Sequence, residues 1–295
     1  MSQRNVGILL ATLAYVLWGA LVYYWHLLSH VPSLEVFGYR IIFTVISMGI
    51  YFVVTRQMGK VRLETRALVH NHRAFGLSLL ASLFLGLNWL TFIYAVSINE
   101  ATEASIANFI MPLVQIVLAV IFLSERLERY MWGAVGLSAV GIVVMIVADG
   151  KFPILIVIMS VCFPIYGLLK KYYTLSSDVA MLLESVVILP FVLVYLLGFA
   201  SRAFWQYDPW TMLGLFFSGL VTAIPLLLFA EAVKRANYSM ISFIQFINPL
   251  IALIISVLVL GEMLTIGEFW GMVFIAAAVL LFIIGQVVLL ARQKG

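Results

Sequence analysis

At 295 residues, 64% hydrophobic and only 10% charged, the chain carries more apolar surface than one soluble core can bury. Its formal charge of +4 is spread over short segments between apolar runs, so it marks topology and excludes a nucleic-acid surface. The single cysteine, Cys162, excludes a disulfide framework, and His26, His30, His70 and His72 lack the i, i+4 spacing of a zinc-binding helix.

In chain order, ten apolar segments of about 20 residues follow one another, at 6–27, 36–54, 74–96, 104–124, 130–148, 152–170, 179–199, 210–233, 239–260 and 267–289. None shows the two-residue alternation of an outer-membrane barrel, so the expected fold is an all-α membrane bundle of ten transmembrane helices. The first run has no small-residue cleavage site and reads as a retained span. The connections predict antiparallel neighbours and no soluble domain. Placing the N-terminus in the cytoplasm puts 14 of the 17 Lys and Arg on that side, leaving Arg40, Lys151 and Arg202 outside. The expected location is a bacterial inner membrane, crossed many times, with both termini cytoplasmic. Asn237-Tyr-Ser239 matches a glycosylation acceptor but falls on the inner side, where it stays unmodified. Trp25, Trp132, Trp205, Trp210 and Trp270 sit near span ends as interface anchors, while Trp18 and Trp89 lie deeper. Gly267 and Gly271, with Gly133, Gly136 and Gly141, suit close packing of spans ten and five within one subunit. A monomer is expected, with a weak homodimer as the other reading.

Residues 101–127 recur at 238–264. A shift of 137 positions sets Ser105 on Ser242, Phe109 on Phe246, Pro112 on Pro249 and Glu125 on Glu262. The chain therefore divides into two five-span repeats, 1–149 and 150–295. Five is odd, so the second repeat enters the membrane from the opposite face and the pair are inverted. Inverted repeats mark alternating-access carriers, which hold a small-molecule substrate near the midplane between the halves.

Polar groups in hydrocarbon are costly unless paired, so those inside spans are candidates for a substrate site. They are Asn88, Asn108, Gln115, Gln245 and Asn248, joined by the charged Arg40 and Glu184 and by Glu103 and Glu231 at span ends. Pro112 and Pro249 remove the donors to the carbonyls of Asn108 and Gln245, so each repeated span offers an amide beside a free carbonyl. That suits a small polar or zwitterionic solute; a kink satisfied by its own neighbours is the alternative. Pro225 stands 137 residues after Asn88, which aims spans three and eight at the same cavity. Tyr15, Trp18, Tyr94 and Tyr166 are candidate aromatic walls, suited to aromatic or amphipathic solutes. Arg40 and Glu184 align at an offset of 144, near opposite surfaces. In one reading each closes its own end of the pathway, and Glu184 or Glu103 takes up a proton. In the other, Arg40 snorkels to the surface and Glu184 bridges to Lys170 or Lys171.

These residues resemble a known group. Two five-span repeats containing Phe109-Ile-Met-Pro112-Leu and Phe246-Ile-Asn-Pro249-Leu, each closing on Glu, resemble the EamA-type drug/metabolite transporter superfamily. Tyr15-x-x-Trp18-Gly19, Asn88-Trp89, Glu103-Ala-Ser105, Tyr166-Gly-Leu168 with Lys170-Lys171, Leu182-Leu-Glu184, Pro225-Leu226 and Phe243-x-Gln245 resemble its RarD subfamily over nearly the whole chain. The resemblance implies a ten-helix inner-membrane carrier that exports small metabolites or drugs, with amino acids and nucleotide-linked sugars among relatives' substrates and a link to chloramphenicol sensitivity. It points to Trp89 beside Asn88 as a further substrate contact. The first repeat has Met111 where relatives commonly carry Asn before the proline, so Asn248 outweighs it as a contact.

A membrane enzyme would need a reactive constellation, and no histidine falls in a span core. An ATP-driven pump would need a phosphate-binding Gly-x-x-x-x-Gly-Lys loop, which the sequence lacks. No metal or cofactor is expected. The expected function is a secondary carrier exporting small amphipathic solutes such as amino acids, driven by the solute gradient or by proton exchange. A non-transporting structural or receptor-like bundle is the alternative, and the short loops speak against it.

Overall fold

The computed structural model describes residues 2–97, 101–149, 154–261 and 265–292. Lys151, Glu262 and Lys294, and the side chains of Glu103, Ser105 and Arg292, fall outside the described residues. The elements are α1 (Gln3–Leu27), α2 (Ser33–Val54), α3 (Met58–His70), α4 (His72–Ser97), α5 (Ala101–Leu123) and α6 (Arg129–Asp149). They continue with α7 (Ile154–Leu169), α8 (Ser177–Gly198), α9 (Pro209–Arg235), α10 (Tyr238–Gln245), α11 (Ile247–Leu258) and α12 (Ile266–Arg292). A short 3-10 turn lies at Phe204–Gln206. Among the described residues eight helical stretches are long and apolar enough to cross a membrane, α10 and the first turns of α11 counting as one. Two shorter apolar helices run at 107–123 and 157–169. Large apolar side chains such as Val54, Val147, Leu197 and Leu258 stay exposed on the outside, as lipid-facing residues do. This is an all-helical, multi-pass membrane protein.

Local signals explain the helix starts. Ser2 accepts from Asn5 N and caps α1, and Asp208 accepts from Trp210 N and Thr211 N while Pro209 opens α9 with a preset φ. Ser124 and Gly261, 137 residues apart, both carry a positive φ, 51° and 71°, just past the repeated helices. Gly adopts that conformation without steric cost; Ser bears it.

The bundle has two ends. Arg4 Nη2 donates to Gln286 Oε1 at 3.4 Å, so the start of α1 and the last turns of α12 share one end, here the proximal end. Helix α6 packs along α12, where Gly141 lies against Gly271, and Gly267 and Gly271 lie against Ala148 and Met145 of the same chain. The small residues thus serve packing within one subunit. Elsewhere α1 packs on α9, α4 on α7, α5 on α7, α10 and α11 on α1, and α2 on both α8 and α9.

Two features depart from expectation. The segment read as a charged loop after α2 contains α3, whose Lys60 Nζ bonds Asp178 at 2.7 and 2.8 Å and whose Glu64 accepts from Ser176 N and Oγ at 2.8 Å. Its Val61, Glu64 and Leu68 follow helical spacing and turn inward while Arg62, Leu63 and Arg66 remain exposed. The second departure is an asymmetry of the repeated prolines. Pro112 lies inside an unbroken α5, whereas α10 ends at Gln245 and α11 begins at Ile247, so the chain breaks at Phe246. Pro249 cannot donate to the Gln245 carbonyl, and the turn there closes with shorter Phe246 N to Phe243 O pairing.

Candidate functional site

Tyr15 and Trp18 stand one turn apart on α1, as Phe163 and Tyr166 do on α7, so each pair presents two rings on one face. Phe229 of α9 completes a set of five. Ring centroids are 5.4 Å apart for Tyr15 and Trp18, 5.9 Å for Trp18 and Phe163, 5.2 Å for Phe163 and Phe229, and 6.3 Å for the stacked Tyr166 and Phe229. The rings meet one another and fill the centre of the bundle. Tyr94, expected among them, is 54% exposed and lies outside the cluster.

The buried hydroxyls of Tyr15, Tyr166 and Tyr238 each have an acceptor on another helix. Tyr15 OH donates to Gln245 Oε1 at 3.2 Å, joining α1 to the broken span, and Tyr238 OH donates to the Pro164 carbonyl at 2.6 Å. Asn88 Nδ2 donates to the Met159 carbonyl at 3.0 Å, tying α4 to α7. Asn108 and Asn248 are half-buried, and the Asn248 carbonyl lies where a Cβ on Gly19 would come within 2.9 Å. Pro112 and Pro225 are buried in α5 and α9. The structure therefore groups Tyr15, Trp18, Tyr166 and Gln245 directly, and sets Gly19 and Asn248 one turn away.

Glu184 stands seven residues into α8, about 10 Å along its axis from the proximal end. Its carboxylate accepts from Tyr166 OH at 3.1 Å and Tyr173 OH at 2.6 Å. Lys170 Nζ is 2.6 Å from Glu184 Oε1, both side chains being 1% exposed. The approach lies off a hydrogen-bond direction, so the contact acts as an ion pair, with the ammonium also over the Tyr166 and Tyr173 rings. Of the two partners sequence left open, the structure selects Lys170; Lys171 instead donates to the Ala236 carbonyl at 2.9 Å. Burial lowers the Lys171 ammonium from its ordinary value, with Glu125 opposing, while burial and the adjacent Glu184 raise the Tyr173 hydroxyl. Outside this cluster opens a cleft of about 410 Å³ lined by Lys170, Lys171, Tyr173, Thr174, Val233 and Lys234.

Arg40 lies likewise seven residues into its helix but at the distal end, and it is half-buried. Its guanidinium lies 4.5 Å from the Trp89 ring centroid, 5.2 Å from Phe37 and 5.6 Å from Trp25, and its Nε has no hydrogen-bond partner among the described residues. Three aromatic faces therefore hold the charge. Trp25 and Trp89 thus stand, with Phe37, as ring walls around this cation.

Sequence reasoning missed two carboxylates. Glu35, fully buried, accepts from Ser201 N at 2.7 Å, Ser201 Oγ at 2.6 Å and Tyr207 OH, locking α2 to the α8–α9 connection at the distal end. Glu125 accepts from Tyr238 N at 2.7 Å, Ser239 N at 2.9 Å and Ser239 Oγ at 2.6 Å, capping α10 from the end of α5. The hydroxyl at position 239, opening an apolar span, was the available signal. Glu125→Ala is expected to destabilise the protein by about 1–3 kcal/mol, and Ser239→Ala by less, because the carboxylate keeps two backbone donors. Thermal unfolding in detergent checks the order of the two.

Residues 5–147 and 151–284 each match the EamA-like transporter family. An uncharacterized transporter, YojE, of Bacillus subtilis is 35% identical over 97% of this chain and 96% of its own. An uncharacterized transporter of Vibrio cholerae is 33% identical over 95% and 93%, and protein RarD of Escherichia coli 32% identical over 97% and 96%. A solved crystal structure only 14% identical superimposes with a TM-score of 0.74 over 95% of this chain and 98% of that one, which shows the fold. The chain is a membrane transporter that belongs to the EamA-like transporter family, within its RarD subfamily.

Proposed function

We propose that this protein is a secondary carrier that exports small amphipathic solutes such as amino acids across a bacterial inner membrane by alternating access. Its two halves, 1–149 and 150–295, are read as inverted five-span repeats, with the proximal end cytoplasmic. Helix pairings that exchange between halves support this reading: α1 on α9 answers α4 on α7, and α5 on α7 answers α10 and α11 on α1. The observation that carries it is the break at Phe246, which brings Gln245 to Tyr15 and Asn248 to Gly19 where the halves meet. Broken helices at such an interface supply polar backbone and side-chain groups to a solute near the midplane. Glu184 is the candidate proton-coupling group, and Arg40 and Glu35 serve the distal closure.

The test needs no known substrate. Asn248→Cys in a Cys162→Ser background is to be labelled with membrane-impermeant maleimide, in right-side-out and in inverted vesicles. Labelling from both faces is expected. Labelling from one face only would sink alternating access. Exchange of labelled amino acids by proteoliposomes, with and without a pH gradient, then assigns the driving force.

A further inference from the structure

Gln115 of α5 is 0% exposed, and neither its Oε1 nor its Nε2 has a hydrogen-bond partner among the described residues. A buried amide with both atoms unpaired is rare because it forfeits its hydration with nothing in return. Its neighbours show where it points. Met111 and Ala119, one helical turn to either side, belong to the same packed cluster as Tyr15, Phe163, Tyr166 and Phe229. Asn108, two turns away, lies on the same stripe. The nearest charges in sequence, Glu103 and Glu125, are about 18 and 15 Å along the axis.

We propose that Gln115 is a substrate-binding residue for a neutral amide carried on an apolar or aromatic body. An amide presents one acceptor and one or two donors, and a second amide meets both at once through paired hydrogen bonds. A carboxylate alone would leave Oε1 without a donor, and an ammonium alone would leave Nε2 without an acceptor. The cluster that Met111 and Ala119 join, with the rings of Tyr15, Phe163, Tyr166 and Phe229, matches the apolar body of such a solute. In the arrangement described the amide is unpaired, and a state that parts α5 from the aromatic cluster would expose it. This inference rests on the carrier reading and narrows its solute class.

The experiment compares 3-phenylpropanamide with methyl 3-phenylpropanoate, which keep the same ring and carbonyl but differ in N–H donors. Binding to purified protein is followed by tryptophan fluorescence. Wild type is expected to prefer the amide by roughly tenfold or more, and Gln115→Leu to bind both probes equally. Gln115→Met, closer in shape to the native side chain, carries the same comparison if the Leu variant does not fold. An amide-to-ester ratio near one in wild type, or a ratio unchanged in the variants, overturns the assignment. Either result leaves the carrier reading standing, since that depends on the Asn248→Cys labelling.

Discussion

Glu184→Gln is expected to lower stability by about 3–5 kcal/mol, read as a fall in the unfolding midpoint in detergent. The substitution leaves the Lys170 ammonium buried with no counter-charge, and only the ring faces of Tyr166 and Tyr173 to hold it. Lys170→Met should cost less, because the carboxylate keeps the hydroxyl donors of Tyr166 and Tyr173. The double variant Lys170→Met/Glu184→Gln should recover most of the loss, since a neutral acceptor still meets both tyrosines and no isolated charge remains. A Glu184→Gln protein within about 0.5 kcal/mol of wild type would show that the pair is not held as an ion pair. The same variant bears on transport. If its proton dependence is intact, Glu184 is not the coupling group.

Gly219→Ala should destabilise by about 1–3 kcal/mol, and Gly219→Leu by more. A Cβ at this position in α9 would overlap the backbone of Phe43 and Thr44 in α2, so no side-chain rotation can relieve it and the two helices must part. Thr44 Oγ1 also donates to the Gly219 carbonyl at 3.2 Å, a bond that the separation would break. Gly49, in the same α2, has open space where a Cβ would stand. Gly49→Ala is therefore expected to be neutral or stabilising by up to about 1 kcal/mol through helix propensity alone. Equal effects at the two positions would mean that α2 and α9 do not cross as closely as described.

The hidden charges explain where sequence reading stopped. Sequence left Lys170 and Lys171 equally eligible as partners of Glu184, because which of two adjacent residues faces α8 depends on the path the chain takes between α7 and α8. Glu125 was visible as the mark closing a repeat, but its partners, Tyr238 and Ser239, are more than a hundred residues away. Helix α3 was hidden by its own Lys and Arg, whose value as a topology signal masked the inward stripe of Val61, Glu64 and Leu68. Tyr94 could not be separated from Tyr15 by composition, since an aromatic residue suits a lipid-facing surface as well as a core.

Sequence by itself determined the class of molecule, the approximate span positions and the 137-residue recurrence, because lipid obliges every crossing segment to satisfy its own backbone and to present apolar side chains. Tertiary structure alone decided which polar groups find partners. Glu184 finds Lys170, Gln245 finds Tyr15, and the Gln115 amide finds no protein group among the described residues. The reason is that a helical repeat dictates the face a residue occupies, while its partner stands on a different helix, whose approach depends on packing across the whole bundle.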